Sequence, residues 1–257
     1  MSFDPRLSAL LLILTAPAVG SFLGVLVDRL PRDEDVFRRG SACRGCGQRL
    51  GVLDLIPILS FALSKGRCRH CGASFAPWHL YIEITAFGMA VLAAAAGKTG
   101  AGLWLDALFL WTLLALFFSD LIWMRLPDSL TASLFLVAMA AALLPGGQGG
   151  QTALLGAALG CGSFAALRFG YRALRGREGL GLGDVKLMAG LGAFAGPIHL
   201  PLMVLMASGG ALALVVVLHG LRGNGTPAGT MRIPFGSALC LAGAALWVLR
   251  AGAVPLP

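Results

Sequence analysis

The runs from Ser129 to Leu167 and from Leu187 to Leu221 contain no Asp, Glu, Lys or Arg. A water-soluble domain cannot hide that much uninterrupted apolar chain, because its helices need a polar face toward solvent. The same absence of charge holds from Leu7 to Val27 and from Ile233 to Leu249, and two further stretches, about 78–96 and 102–119, carry only Glu83 and Asp106. One helix needs roughly 20 apolar residues to cross the hydrocarbon core, so each of the two longest runs is expected to hold two spans. The fold class that follows is an all-α polytopic membrane protein with about eight transmembrane helices. A composition of 57% hydrophobic and 12% charged residues, with a mean hydropathy of +0.82, excludes an ordinary soluble globular chain. The first run is read as a spanning helix rather than a signal peptide, because only Arg6 precedes it as a basic residue and the sequence beyond it stays apolar.

Three regions result: a first transmembrane helix at 1–27, a polar loop at 28–77 rich in Arg, Cys, Gly and Pro, and a membrane core at 78–257. With eight spans the loops alternate sides, and the distribution of Lys and Arg tests that count. The loops at 28–77, 120–128, 168–186 and 219–234 together hold 17 basic residues, against three on the other side, Arg6, Lys98 and Arg250. The basic loops are therefore expected in the cytoplasm, with both termini outside. This asymmetry accounts for a net charge of +8 without any nucleic acid. Anionic membrane lipid is the natural contact for those loops.

The first cytoplasmic loop contains Cys43 and Cys46, then 21 residues, then Cys68 and Cys71. Two CxxC pairs at such spacing point to zinc: each pair sits on a tight turn that aims two thiolates at one point, and four thiolates complete a tetrahedron. Gly45, Gly47 and Gly72 supply the conformational freedom of those turns. Two disulfides would be the alternative, but the loop is assigned to the reducing side of the membrane. His70 could substitute as a ligand, although four cysteines already satisfy the metal. Because four thiolates leave no open position for water, the zinc is expected to be structural. Cys161 and Cys240, inside spans, read as small packing residues.

Most of the twelve acids fall in loops, among them Asp54 and Glu178. Glu83 and Asp106 lie in or near spans and read as structural. Asp128 follows Pro127 before a span, a helix-start arrangement in which it could cap. Asp184 closes "GLGLGD" where the sixth span begins, and a capping role is open to it as well. Asp120 has no capping role available, though it could be a boundary charge where the third span reaches the cytoplasm. The topology puts Asp120 and Asp184, far apart in sequence, at the same membrane boundary. Two carboxylates that meet in a partly dry site do not both ionise easily, so one keeps a proton, which is the arrangement of an aspartic protease. Lys186 could tune the pair or be a boundary charge. The sixth span is short, with few residues between Lys186 and Pro197.

Several motifs in order, "GSFLGVLVDRLP" at 20–31, the paired CxxC loop, "YIEITA" at 81–86, "SDLIWMRLPDSLT" at 119–131, "GLGDVKLMAG" at 181–190 and "RIPFGSALCLAG" at 232–243, resemble the prepilin peptidases. These are also called type IV leader peptidases, a branch of the GxGD membrane aspartyl proteases. The resemblance covers most of the chain and makes 78–257 the transmembrane protease core. It implies an enzyme of the bacterial inner membrane that removes the basic leader from type IV prepilins or type II secretion pseudopilins. The cut would fall after a glycine, at the cytoplasmic face. By motif it implies Asp120 and Asp184 as the catalytic pair, with Asp128 at a position that is not catalytic. Members carrying the cysteine loop are associated with N-methylation of the new N-terminus by S-adenosylmethionine, so a bifunctional enzyme is expected. No methyl-donor site is recognisable, since the glycines form no strand-to-helix fingerprint. Asp28 in "VDRLP" departs from the uncharged residue expected there.

Two other classes fit parts of the pattern. A proton-coupled transporter also keeps acids near the membrane, but there they belong at the midplane. A noncatalytic scaffold recruiting a partner through its zinc loop would need no acid pair.

Overall fold

The computed structural model describes residues 4–38, 40–51, 57–177, 179–222 and 234–252. Asp54, Glu178 and most of the last basic loop lie outside the described residues, as does the start of the "RIPFGS" motif. Among the described residues the regular structure is helical: α1 Pro5–Arg29, α2 Leu59–Ser64, α3 Trp78–Ala95, α4 Ala101–Trp123, α5 Asp128–Leu143, α6 Gly150–Arg175, α7 Leu182–Arg222 and α8 Phe235–Ala251. Five helical stretches are long and apolar enough to cross a membrane: Pro5–Arg32, Trp78–Ala95, Ala101–Trp123, Gly150–Arg175 and Leu182–Val217. Helices α5 and α8 are apolar but shorter.

The chain divides into two compact units, residues 1–115 and 116–257, so the last turns of α4 belong to the second. In the first unit α1 packs on α3. Gly20 makes this approach close: a Cβ there would stand 2.7 Å from the Glu83 Cα and 2.9 Å from the Ala86 Cβ. Both acids read as structural are engaged. Glu83 accepts the Ile58 N–H at 2.7 Å, and the buried Asp106 pairs with Lys98 at 2.9 Å. Asp28 is engaged too, accepting from Arg32 at 2.6 Å and from Arg44, whose guanidinium also reaches Glu34 at 3.2 Å. These contacts tie the first cysteine turn to the end of α1.

In the second unit α7 is the hub, packed against α5, α6 and α8. Its contact with α6 is backbone against backbone. A Cβ on Gly156 would collide with the Gly192 carbonyl, one on Gly192 with the Gly156 carbonyl, and one on Gly160 would stand 2.6 Å from the Met188 carbonyl. With no hydrophobic drive between helices in lipid, such small-residue contacts are a main source of association.

Helix α7 has 41 residues. Run straight, it would extend about 60 Å, roughly twice the hydrocarbon thickness. It breaks at Gly196, with φ 68° and ψ 171°, just before Pro197. The left-handed φ suits glycine alone, and the proline has no N–H to return to the preceding turn. The carbonyls left without helical donors are met from outside. Gln148 Nε2 donates to Ala193 and, at 3.1 Å, to Phe194. Arg250 donates to Phe194 at 2.7 Å and Ala195 at 2.6 Å, and its guanidinium lies 5.0 Å from the Phe194 ring centroid. An irregular backbone at membrane depth persists only where its polar groups are satisfied in this way. The arm before the break, the short sixth segment of the sequence, is about 20 Å long.

Candidate active site

At one end of the second unit the C-terminal turn of α4 meets the N-termini of α5, α7 and α8. Asp120 is on that last turn of α4. Asp184 is the third residue of α7, and Ser237 the third of α8. Asp120 and Asp184 are 6% and 9% exposed; among the described acids only Asp106, held by Lys98, is as deeply buried. Asp120 and Asp184 lie within electrostatic reach of each other, and Cys240 follows one turn along α8 from Ser237.

Each carboxylate is served by a helix N-terminus, where backbone N–H groups lack partners and the dipole favours negative charge. Asp184 reaches back to the Gly181 N–H in front of its own helix, in the manner of the third residue of a capping box. It therefore lies inside the first turn rather than before it. Asp120 Oδ2 accepts two bonds from the start of α8, 2.6 Å from the Ser237 N–H and 2.9 Å from the Ser237 Oγ.

The glycines around the pair set distances. A Cβ on Gly236 would stand 3.0 Å from the Asp120 carboxyl carbon and from Leu126 Cδ1, and a Cβ on Gly183 would stand 3.0 Å from the Leu126 Cβ. Leu126, in the link between α4 and α5, is thus held between the N-termini of α7 and α8. The link is fixed by the buried Ser119, whose Oγ donates to the Arg125 carbonyl at 2.7 Å. The buried Arg168 donates to the Leu180 carbonyl and anchors the "GLGLGD" loop to α6. Although its charge groups it with the basic 168–186 segment, this arginine belongs to α6, which runs to Arg175. Asp128 does not cap α5. Pro127 occupies the cap position, and the exposed Asp128 carboxylate receives Lys186 Nζ at 2.7 Å on both oxygens. Lys186 is thereby turned away from the buried pair and toward Asp128.

Gly236 and Ser237 are the residues that reading by motif left without a role. Their signal was present, a glycine and a hydroxyl at the start of an apolar helix, but nothing local links them to an acid 117 residues away.

In the first unit, the sulfurs of Cys43, Cys46, Cys68 and Cys71 lie within 4.8 Å of one another, with Cys43 and Cys71 Sγ 3.7 Å apart. The edge of a tetrahedron with Zn–S bonds of ~2.3 Å is about 3.8 Å, so the cluster fits one zinc-sized ion. The two turns repeat each other. Cys43 N–H bonds to the Gln48 carbonyl and Gly47 N–H to the Cys43 carbonyl, while Cys68 N–H bonds to Ala73 and Gly72 N–H to Cys68. Gly47 and Gly72 have φ of 71° and 69°. The backbone N–H groups of Cys46 and Gly45 aim at Cys43 Sγ and bring its thiol down to about 7, favouring the thiolate that a metal needs. His70 is not part of the cluster, and all six cysteines are free of disulfides.

Residues 14–96 match the model of the Bacterial Peptidase A24 N-terminal domain, and residues 107–218 match that of the Type IV leader peptidase family. A prepilin leader peptidase/N-methyltransferase of Aeromonas salmonicida strain A449 is 33% identical over 95% of this chain and 92% of its own length. The chain belongs to the type IV leader peptidase family. Its cysteine cluster falls in the segment matched by the N-terminal model, and Asp120 and Asp184 both fall in the segment matched by the peptidase model. Ser237 and Gly236 lie beyond either match. A second relative, the prepilin leader peptidase/N-methyltransferase of Dichelobacter nodosus, is 32% identical over 88% of this chain and 86% of its own. The type 4 prepilin-like proteins leader peptide-processing enzyme of Escherichia coli O78:H11 is 32% identical, with 91% of each chain covered. No solved structure matches the chain. With five helices fit to span, this member of the family is a multi-pass membrane protein.

Proposed function

We propose that the protein is a membrane aspartyl endopeptidase that removes the basic leader from type IV prepilins or type II secretion pseudopilins, with Asp120 and Asp184 as its catalytic pair. The observation that carries this reading is the meeting of two buried carboxyls, each held at a helix N-terminus, in a chain of the leader peptidase family. Two such groups share one negative charge more readily than they carry two. The ionised member takes a proton from an attacking water, while the protonated member donates to the scissile carbonyl oxygen. The proton later passes to the leaving amine. The pair sits at helix ends rather than mid-helix, which favours a peptidase over a proton-coupled transporter.

The further reading is of eight crossings in the bacterial inner membrane, both termini periplasmic, and the acid pair at the cytoplasmic face, where 17 of the basic residues collect. That face is where a basic leader remains when the apolar segment of a prepilin is inserted, and cleavage falls after the glycine between them. Cys43, Cys46, Cys68 and Cys71 would hold a structural zinc that folds a loop too small for a core of its own. The relatives' double names support methylation of the new N-terminus by S-adenosylmethionine; no residue is assigned to the methyl donor.

The test is incubation of the purified protein in detergent with a synthetic prepilin peptide, with and without S-adenosylmethionine, followed by mass analysis. Loss of the leader, and one added methyl group only when the donor is present, is expected. A peptide left intact sinks the peptidase reading, and a cleaved but never methylated product sinks the bifunctional one.

A further inference from the structure

Ser237 treats the two acids unequally. Its N–H and its hydroxyl both converge on one oxygen, Asp120 Oδ2, at 2.6 and 2.9 Å, with Ser237 itself 4% exposed. A backbone N–H can only donate, so that oxygen is an acceptor. The hydroxyl has one hydrogen, and the other acceptor within reach, the Phe117 carbonyl, is farther off at 3.4 Å. Hydrogen bonds to a charged oxygen are stronger than those to a neutral one, so two donors on Asp120 favour its ionised form. Asp184 receives the Gly181 N–H, and among the described residues no side chain donates to it. Asp120 has been placed, Asp184 has been left freer to hold a proton.

Among the described residues, the other charged groups named at this end do not cancel the difference. On α7, Lys186 is taken by Asp128 of α5. On α6, Arg168 is bonded to the Leu180 carbonyl, and on α8 Cys240 is a buried thiol. Gly236 completes the arrangement: without a Cβ, the first turn of α8 can come against the Asp120 carboxyl.

We propose that Ser237 is a positioning residue that assigns the roles within the pair, making Asp120 the base that activates water and Asp184 the acid that carries the proton. This rests on the reading of the two acids as catalytic. Ser237 touches no reacting atom; it acts through Asp120.

The experiment is the pH dependence of kcat for cleavage of a synthetic prepilin peptide by the full-length protein in detergent, for wild type, Ser237→Ala and Ser237→Thr. The acid limb reports ionisation of the base and the alkaline limb loss of the proton from the acid. A hydrogen bond to a charged group is worth roughly one pH unit or somewhat more. The Ser237→Ala acid limb is therefore expected to move upward by about one unit with the alkaline limb in place, and Ser237→Thr, which restores a hydroxyl, to return it. If the alanine variant does not fold, Ser237→Cys, a weaker donor of similar size, should move the same limb in the same direction by less. A profile that overlays wild type, that falls equally at every pH, or that moves only on its alkaline limb overturns the assignment. Asp120→Asn and Asp184→Asn in the same assay separate the two levels. If both are inactive and the Ser237 profiles do not move, the pair stands and the role of Ser237 falls; if either asparagine variant cleaves normally, the reading of the pair itself falls.

Discussion

Removing the arginine at the break in α7 should cost far more than its place near the end of α8 suggests. Arg250 donates to two carbonyls that Gly196 and Pro197 deprive of helical partners, at 2.7 and 2.6 Å, and also contacts His199 Nδ1 at 2.8 Å. Hydrogen bonds from a charged donor contribute about 1.5–3 kcal/mol each when lost with the acceptor left buried. Gln148 still reaches Phe194, so the two bonds are not lost in full. For Arg250→Met, which keeps much of the side chain's bulk, a loss of about 2–4 kcal/mol is expected. The assay is a reversible SDS-denaturation titration in mixed micelles, with zinc content followed as a control for the cysteine loop. Gln148→Ala should cost less. The double variant should depart from additivity, because both side chains serve the Phe194 carbonyl. If Arg250→Met stays within about 0.5 kcal/mol of wild type, the size of a neutral surface substitution, then water or backbone relaxation satisfies those carbonyls and the bracket has no energetic role.

Other outcomes are accessible with the same preparation. Replacing Cys43 and Cys46 together with serine should remove about one zinc per chain by elemental analysis, and acidification should release the metal from wild type because its ligands must be deprotonated. Gly192→Leu should separate α6 from α7, since even a Cβ there meets the Gly156 backbone; the SDS titration should show destabilisation of several kcal/mol, roughly that of other severe packing clashes.

Much of the architecture was legible because membrane constraints are few and strong. Charge-free runs marked α1, α5, α6, α7 and α8, and alternation of basic loops brought Asp120 and Asp184 to one boundary without any contact information. The cysteine turns could be read from spacing, since a tetrahedron of thiolates tolerates little else. What the sequence hid depended on hydrogen bonds between distant segments. Arg250 and Arg168 counted only as boundary charges, yet one brackets the α7 break and the other, buried, holds the loop before Asp184. Asp128 had the local form of a cap, but proline took that place and the acid paired with Lys186 across 58 residues. Ser237 carried no charge to attract notice. Only folding set its N–H and hydroxyl on Asp120.

The central claim, that two buried acids, each with its carboxylate held by a helix N-terminus, hydrolyse a prepilin leader, is tested most directly by cleavage of a synthetic prepilin with purified Asp120→Asn and Asp184→Asn proteins. Both should remain folded, retain zinc, and cleave at least about 100-fold more slowly than wild type. Cleavage at the wild-type rate by either folded variant would contradict the account.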